Sequence, residues 1–165
     1  MNKKLLGYIG RFTLLHVITY TVAGVIFMNL FNYAEVFQTS EVFAHFRSIE
    51  SPIMQAVPFL QIIRGAIFAL ILYPFYEVIV NHKRGWLILF SVLWGLTYLG
   101  SVEATLGSIE GMIYTKASLA EHLVGTPEVT IQMLVFAWLF VKWEKRSLKK
   151  RQKKLTLKET VTTIN

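Results

Sequence analysis

Arg64 is the residue whose type and position most invite chemistry. It lies eleven positions into an apolar stretch that runs from Ile53 to Val80. A guanidinium at the centre of a bilayer costs about 2.5–3.5 kcal/mol on the insertion scale, whereas each Leu, Ile, Phe or Val returns about 0.3–0.6 kcal/mol. The stretch therefore inserts, and its arginine is expected to face a cavity or a carboxylate. The planar fork of donors suits a carboxylate, a phosphate or another anionic head group.

Gln61 precedes Arg64 by three residues and shares its helix face. Glu128 and Gln132, an i, i+4 pair on a later apolar stretch, project together. Glu103, Asn29 and Asn32 lie near the same ends of their own stretches. A polar pocket with Arg64 at its floor follows, and Arg64, Gln61, Gln132, Glu128, Glu103 and Asn32 are its candidate ligand-binding residues. A turn at 107–114 brings Glu110 over the mouth. Arg64 would hold the anionic group, Gln61 and Gln132 would orient it, and Glu103 or Glu128 would balance charge or exchange a proton. The structural alternative is an internal ion pair of Arg64 with Glu128 or Glu103 that fixes helix register.

Other reactive side chains are sparse. The chain has no Cys and no Asp, which excludes thiol chemistry, disulfides, Asp-based calcium loops and Asp-centred triads. His16, His45, His82 and His122 include no i, i+3 or i+4 pair, so neither a metal site nor a cofactor is expected. Ser108, Glu110, Tyr114 and His122 are types that could do acid–base work, but their spacing fits no catalytic pattern and no catalytic residue is assigned.

The elements that must position these residues are membrane helices. Of 165 residues, 54% are hydrophobic and only 16% charged, with mean hydropathy +0.49; soluble domains carry about 25% charge. A span needs about 20 apolar residues. Residues 12–33, 53–80, 86–105 and 127–143 are four such stretches. The last is the weakest, with 13 residues between Glu128 and Lys142. The first exceeds the 7–15 apolar residues of a signal peptide and is expected to be retained. Pro74 should kink the second, and Trp86 and Trp143 fit an interfacial belt.

Charge sets direction. Of 17 Lys and Arg, 14 fall on one side: Lys3, Lys4 and Arg11, then Lys83 and Arg84, then nine between Lys142 and Lys158. The positive-inside rule places both termini in the cytoplasm. Residues 1–145 then form one transmembrane domain and 146–165 a basic cytoplasmic tail. The Lys-Lys-Arg-Gln-Lys-Lys run at 149–154 is expected to touch anionic lipid, not nucleic acid, at about 1 kcal/mol per basic residue. Thr156 to Asn165 reads as a frayed end. Between spans, residues 35–50 set Val36, Val42, Phe43, Phe46 and Ile49 at roughly helical spacing, and Lys116–Leu123 can form a short helix.

The expected fold is therefore all-α: an integral four-helix bundle of the cell membrane, both termini cytoplasmic, with short amphipathic helical segments in the two extracytoplasmic loops. The expected function is binding or transport of a small anionic ligand, and conduction through four helices would need a homo-oligomer or a partner subunit. A noncatalytic accessory subunit of a larger membrane complex, or a membrane enzyme acting on a lipid-like substrate through Glu110 and His122, are the alternatives.

Overall fold

A computed structural model of the chain describes residues 3–39, 43, 47–48 and 50–164. Among these the regular structure is entirely helical. The elements are α1 (Lys3–Leu30), α2 (Tyr33–Thr39), α3 (Pro52–Gln55), α4 (Val57–Leu72), a 3-10 turn (Tyr73–Phe75), α5 (Tyr76–Asn81), α6 (Gly85–Tyr98), α7 (Ile109–Tyr114), α8 (Leu119–Leu123) and α9 (Thr126–Ile164). Three helical stretches are long and apolar enough to cross a membrane: α1, the α4–α5 run from Val57 to Asn81, and the run containing α9. The fourth apolar helix, α6, is shorter.

Local sequence explains most boundaries. Pro52 and Pro58 sit in the first turns of α3 and α4, where the missing N–H has no intrahelical partner to lose. Pro74 falls in the 3-10 turn and breaks the second stretch into α4 and α5. Ser108 caps α7, its Oγ accepting the Gly111 N–H at 2.9 Å. Ser118 and Glu121 form a reciprocal capping box on α8.

Several boundaries depart from the hydropathy reading: α1 already begins at Lys3, nine residues before the expected stretch, and ends at Leu30. The third stretch was expected to run to Thr105, but α6 stops at Tyr98 after 14 residues, about 21 Å. Leu99 and Gly100 both donate to the Gly95 carbonyl at 2.8 Å and so close the helix end. The tail was expected to fray from Thr156; instead α9 continues as helix to Ile164. After Pro127 the sequence contains neither Gly nor Pro, and Lys, Arg, Gln and Leu are good helix formers. The loop expectations divide. Val36 lies in α2 and Leu119–Leu123 is helical, whereas Val42, Phe46 and Ile49 lie outside the described residues.

The helices run alternately up and down. Tyr8 of α1 meets Tyr76 of α5 and Phe140 of α9 at one end. At the other, Tyr33 reaches Glu128, and Tyr98 reaches Thr126. Helix α1 packs on α4 and α9, α6 packs on α9, and α5 packs on α6 and α9. Two glycines permit close approach. A Cβ on Gly65 would stand 3.2 Å from the Thr13 Cα, which lets α1 and α4 touch along their backbones. A Cβ on Gly85 would collide with the Ile79 carbonyl in the tight α5–α6 turn. Lys145 ties that turn to α9 by donating to the His82 carbonyl at 2.7 Å.

The core fills the end that carries the basic residues. Tyr8, Phe12, Ala69, Leu89, Phe136 and Phe140 are buried there. Phe12 contacts Phe136 and Phe140 edge-on, with centroids 4.8 and 5.0 Å apart. Each such pair contributes about 0.5–1.5 kcal/mol beyond its buried area.

Candidate functional site

Arg64 stands on the wall of a cleft built by α1, α4, α6 and α9. Phe12, His16 and Tyr20 come from α1, and Arg64 with Phe68 from α4. Leu93 and Thr97 of α6 face them, and α9 closes the far side with Val129, Gln132, Met133 and Phe136. The cleft has a volume of about 180 Å³ and lies towards the end away from the basic residues. At about 30 Å³ per liquid water, this is room for roughly six waters.

The floor is aromatic, contrary to the expectation that Arg64 forms it. Phe12 and Phe136 are buried at the bottom, whereas Arg64 is exposed and its guanidinium lies over the Phe68 ring, 5.3 Å from the centroid. The negative face of the Phe68 ring attracts the guanidinium electrostatically. Among the described residues no carboxylate comes within ion-pair distance of Arg64; the ion pair found there joins Arg11 to Glu144 instead.

The other candidates fall into two groups. Gln132 lines the cleft beside Arg64. Gln61 is buried one turn away and hydrogen-bonds His16 at 3.1 Å, so it holds an imidazole that itself lines the cleft. Glu128 lies nearer the helix ends, accepting the Tyr33 hydroxyl at 2.9 Å. Glu103 is exposed in the segment after α6, where its carbonyl accepts from Ser101 at 3.0 Å. Asn32 adopts φ 47° in the α1–α2 turn and donates to Glu35 at 2.6 Å. Glu110 is half-buried in the first turn of α7. Arg64 and Gln132 thus meet in one cleft, Gln61 supports it, and Glu128, Glu103, Asn32 and Glu110 stand outside its lining.

His122 has a different occupation. Its Nδ1 accepts the Gly107 N–H at 3.1 Å, and Nε2 faces the Thr115 hydroxyl at 3.3 Å. The Thr115 hydroxyl donates to the Gly111 carbonyl at 2.7 Å, so Nε2–H is the donor to Thr115 and the ring is the neutral Nε2–H tautomer. His122 therefore knits the 107–123 loop together. Ser108 is committed to its cap and to the Thr105 carbonyl.

A second polar cluster, absent from the sequence reading, closes the basic end. Glu144 of α9 is 1% exposed and accepts two bonds from Arg11 of α1, one from Nε and one from an Nη at 3.0 Å. Tyr76 of α5 donates its hydroxyl to the same carboxylate at 2.8 Å. Three helices are pinned by one buried acid. The signal was present: Glu144 is the one acid among the basic residues from Lys142 to Lys154, in helical register with the apolar face below.

Fold and cleft together define a helical protein with three stretches long and apolar enough to cross a membrane, an enclosed ion pair at one end and, towards the other, a cleft arginine with no ion-pair partner among the described residues. No protein-family model, curated protein or solved structure matches this chain.

Proposed function

We propose that this protein crosses the cell membrane four times, both termini cytoplasmic, and binds a small anionic molecule in an outward-facing cleft at Arg64. The fitting ligand is a small carboxylate with an apolar or aromatic body. Its carboxylate would meet Arg64 and Gln132, and its body would lie against Phe12, Phe68 and Phe136. The observation that carries this proposal is an arginine exposed in a four-helix cleft with no carboxylate near it among the described residues. An arginine kept only to fix register would be expected to have its counter-charge already in place. Release to the opposite side would need rearrangement of the packed aromatic end, and a conducting path would use a homo-oligomer or a partner subunit.

The test is thermal stabilisation of the purified protein by benzoate, succinate and acetate. Benzoate should raise the midpoint most, Arg64→Gln should abolish the shift, and Arg64→Lys should restore only part of it. Unchanged shifts in both variants would overturn the proposal.

One observation favours a second reading, an accessory subunit of a larger complex. Val102 is 96% exposed, and Tyr114 and Leu119 are also open on the same outer loops. Apolar groups beyond the helix ends suit a protein partner. Co-purification of a partner that Val102→Ser/Tyr114→Ser releases, with Arg64→Gln retaining it, would favour this reading.

A further inference from the structure

Two surface hollows meet on the seam between α1 and α9. The upper is an apolar groove: Ile18, Val22 and Ile26 of α1 face Ile131, Val135 and Leu139 of α9. Each trio repeats every fourth residue, which makes two continuous ridges along antiparallel helices. The lower hollow begins at Leu139 and Leu15 and is walled by Lys142, Trp143, Arg146, Ser147 and Lys150. Leu139 belongs to both, so the groove opens directly into the basic hollow. Lys142, Arg146 and Lys150 also repeat every fourth residue and are exposed. Among the described residues none of the three is in an ion pair. By contrast, Lys145 donates to backbone carbonyls and Arg11 is paired.

We infer that this seam binds one anionic phospholipid from the leaflet at the basic end of the protein. Its phosphate would lie among Lys142, Arg146 and Lys150, with an acyl chain in the groove between α1 and α9. Charge complementarity supplies the first argument, since three unpaired cations in a hollow 590 Å³ in volume can surround a phosphodiester. Length supplies the second. From Lys142 to Ile131 the helix rises about 16 Å, close to half of a hydrocarbon core about 30 Å thick. The groove is thus one leaflet deep, and the cations stand at its headgroup level. The third argument is aromatic. Trp143 borders the basic hollow, and the Lys142 ammonium lies 4.0 Å from the Trp138 ring centroid, an arrangement suited to the membrane–water boundary. The basic hollow shares no lining residue with the Arg64 cleft, whereas the groove shares Gln132 with it.

Midpoints of thermal unfolding in neutral detergent, titrated with phosphatidylglycerol, phosphatidylcholine or inorganic phosphate, test the site. Phosphatidylglycerol should stabilise at the lowest concentration. Lys142→Gln/Arg146→Gln should raise its half-saturating concentration roughly 25-fold, about fivefold for each charge removed. Val135→Trp, which fills the groove and leaves the charges in place, should raise it at least fivefold. Lys153→Gln/Lys154→Gln removes equal charge further along the tail and should change it less than twofold. Equal loss in that control pair would mean diffuse attraction and overturn the site. So would equal stabilisation by phosphatidylcholine, or a phosphate-induced shift that Lys142→Gln/Arg146→Gln abolishes, which would mark a free-anion site.

Discussion

Arg11 and Arg64 occupy opposite halves of the same bundle and have opposite surroundings. Arg11 is 17% exposed by side chain and bound through two nitrogens to a carboxylate that Tyr76 also holds. Arg64 is exposed in a cleft with an aromatic floor and no acid beside it among the described residues. A buried ion pair satisfied on every side is structural, because losing either partner leaves a charge stranded in low dielectric. An arginine that is exposed, lies over a ring face and has no acid partner among the described residues can lose its charge at little cost to the fold. The contrast separates the end that holds the protein together from the end with room for something else.

Glu144→Ala should break the closed half most severely, lowering unfolding free energy by about 3–5 kcal/mol, because Arg11 and Tyr76 lose their acceptor together. Denaturation in detergent reads this directly, and Arg11→Met/Glu144→Met should recover a good part of the loss. Gly65→Val comes next at about 1–3 kcal/mol, since its side chain would force α4 away from the Thr13 backbone. Ser118→Ala should cost about 1 kcal/mol and act locally, seen as faster amide exchange across 118–123 with the core unchanged. Arg64→Gln should change stability least, by about 0.5 kcal/mol or less. A loss comparable to that of Glu144→Ala would erase the distinction between the two halves.

Much of this architecture could be read from hydropathy. The apolar stretches 12–33 and 53–80 overlap α1 (Lys3–Leu30) and the α4–α5 run (Val57–Asn81), and Pro74 marks the break between α4 and α5. The short α6 could not be read in this way, because Leu99 and Val102 remain apolar after the Gly95 and Gly100 backbone has ended the helix. The cleft was legible in part. Arg64 and Gln132 are separately conspicuous as polar groups in apolar stretches, and the bundle brings them together. His16, which has no histidine partner at helical spacing, lines the cleft, and its link to Gln61 spans 45 positions. Glu144 was hidden by context. Counted among nine basic neighbours it reads as tail, and Arg11 lies 133 positions away in the chain. The helical register of Glu144 with the apolar face is legible, but the identity of a partner so distant in sequence is not; only packing reveals the pair.

The unbroken α9 also has a mechanical meaning. Its 39 residues rise about 58 Å, nearly twice the thickness of a hydrocarbon core, as a single rod. Gln132 in the cleft, Glu144 at the clamp and Lys153 in the basic segment are therefore carried on one stiff shaft. A load on the segment beyond Glu144 thus meets the contact with Arg11 and Tyr76 before it reaches the Arg64 cleft.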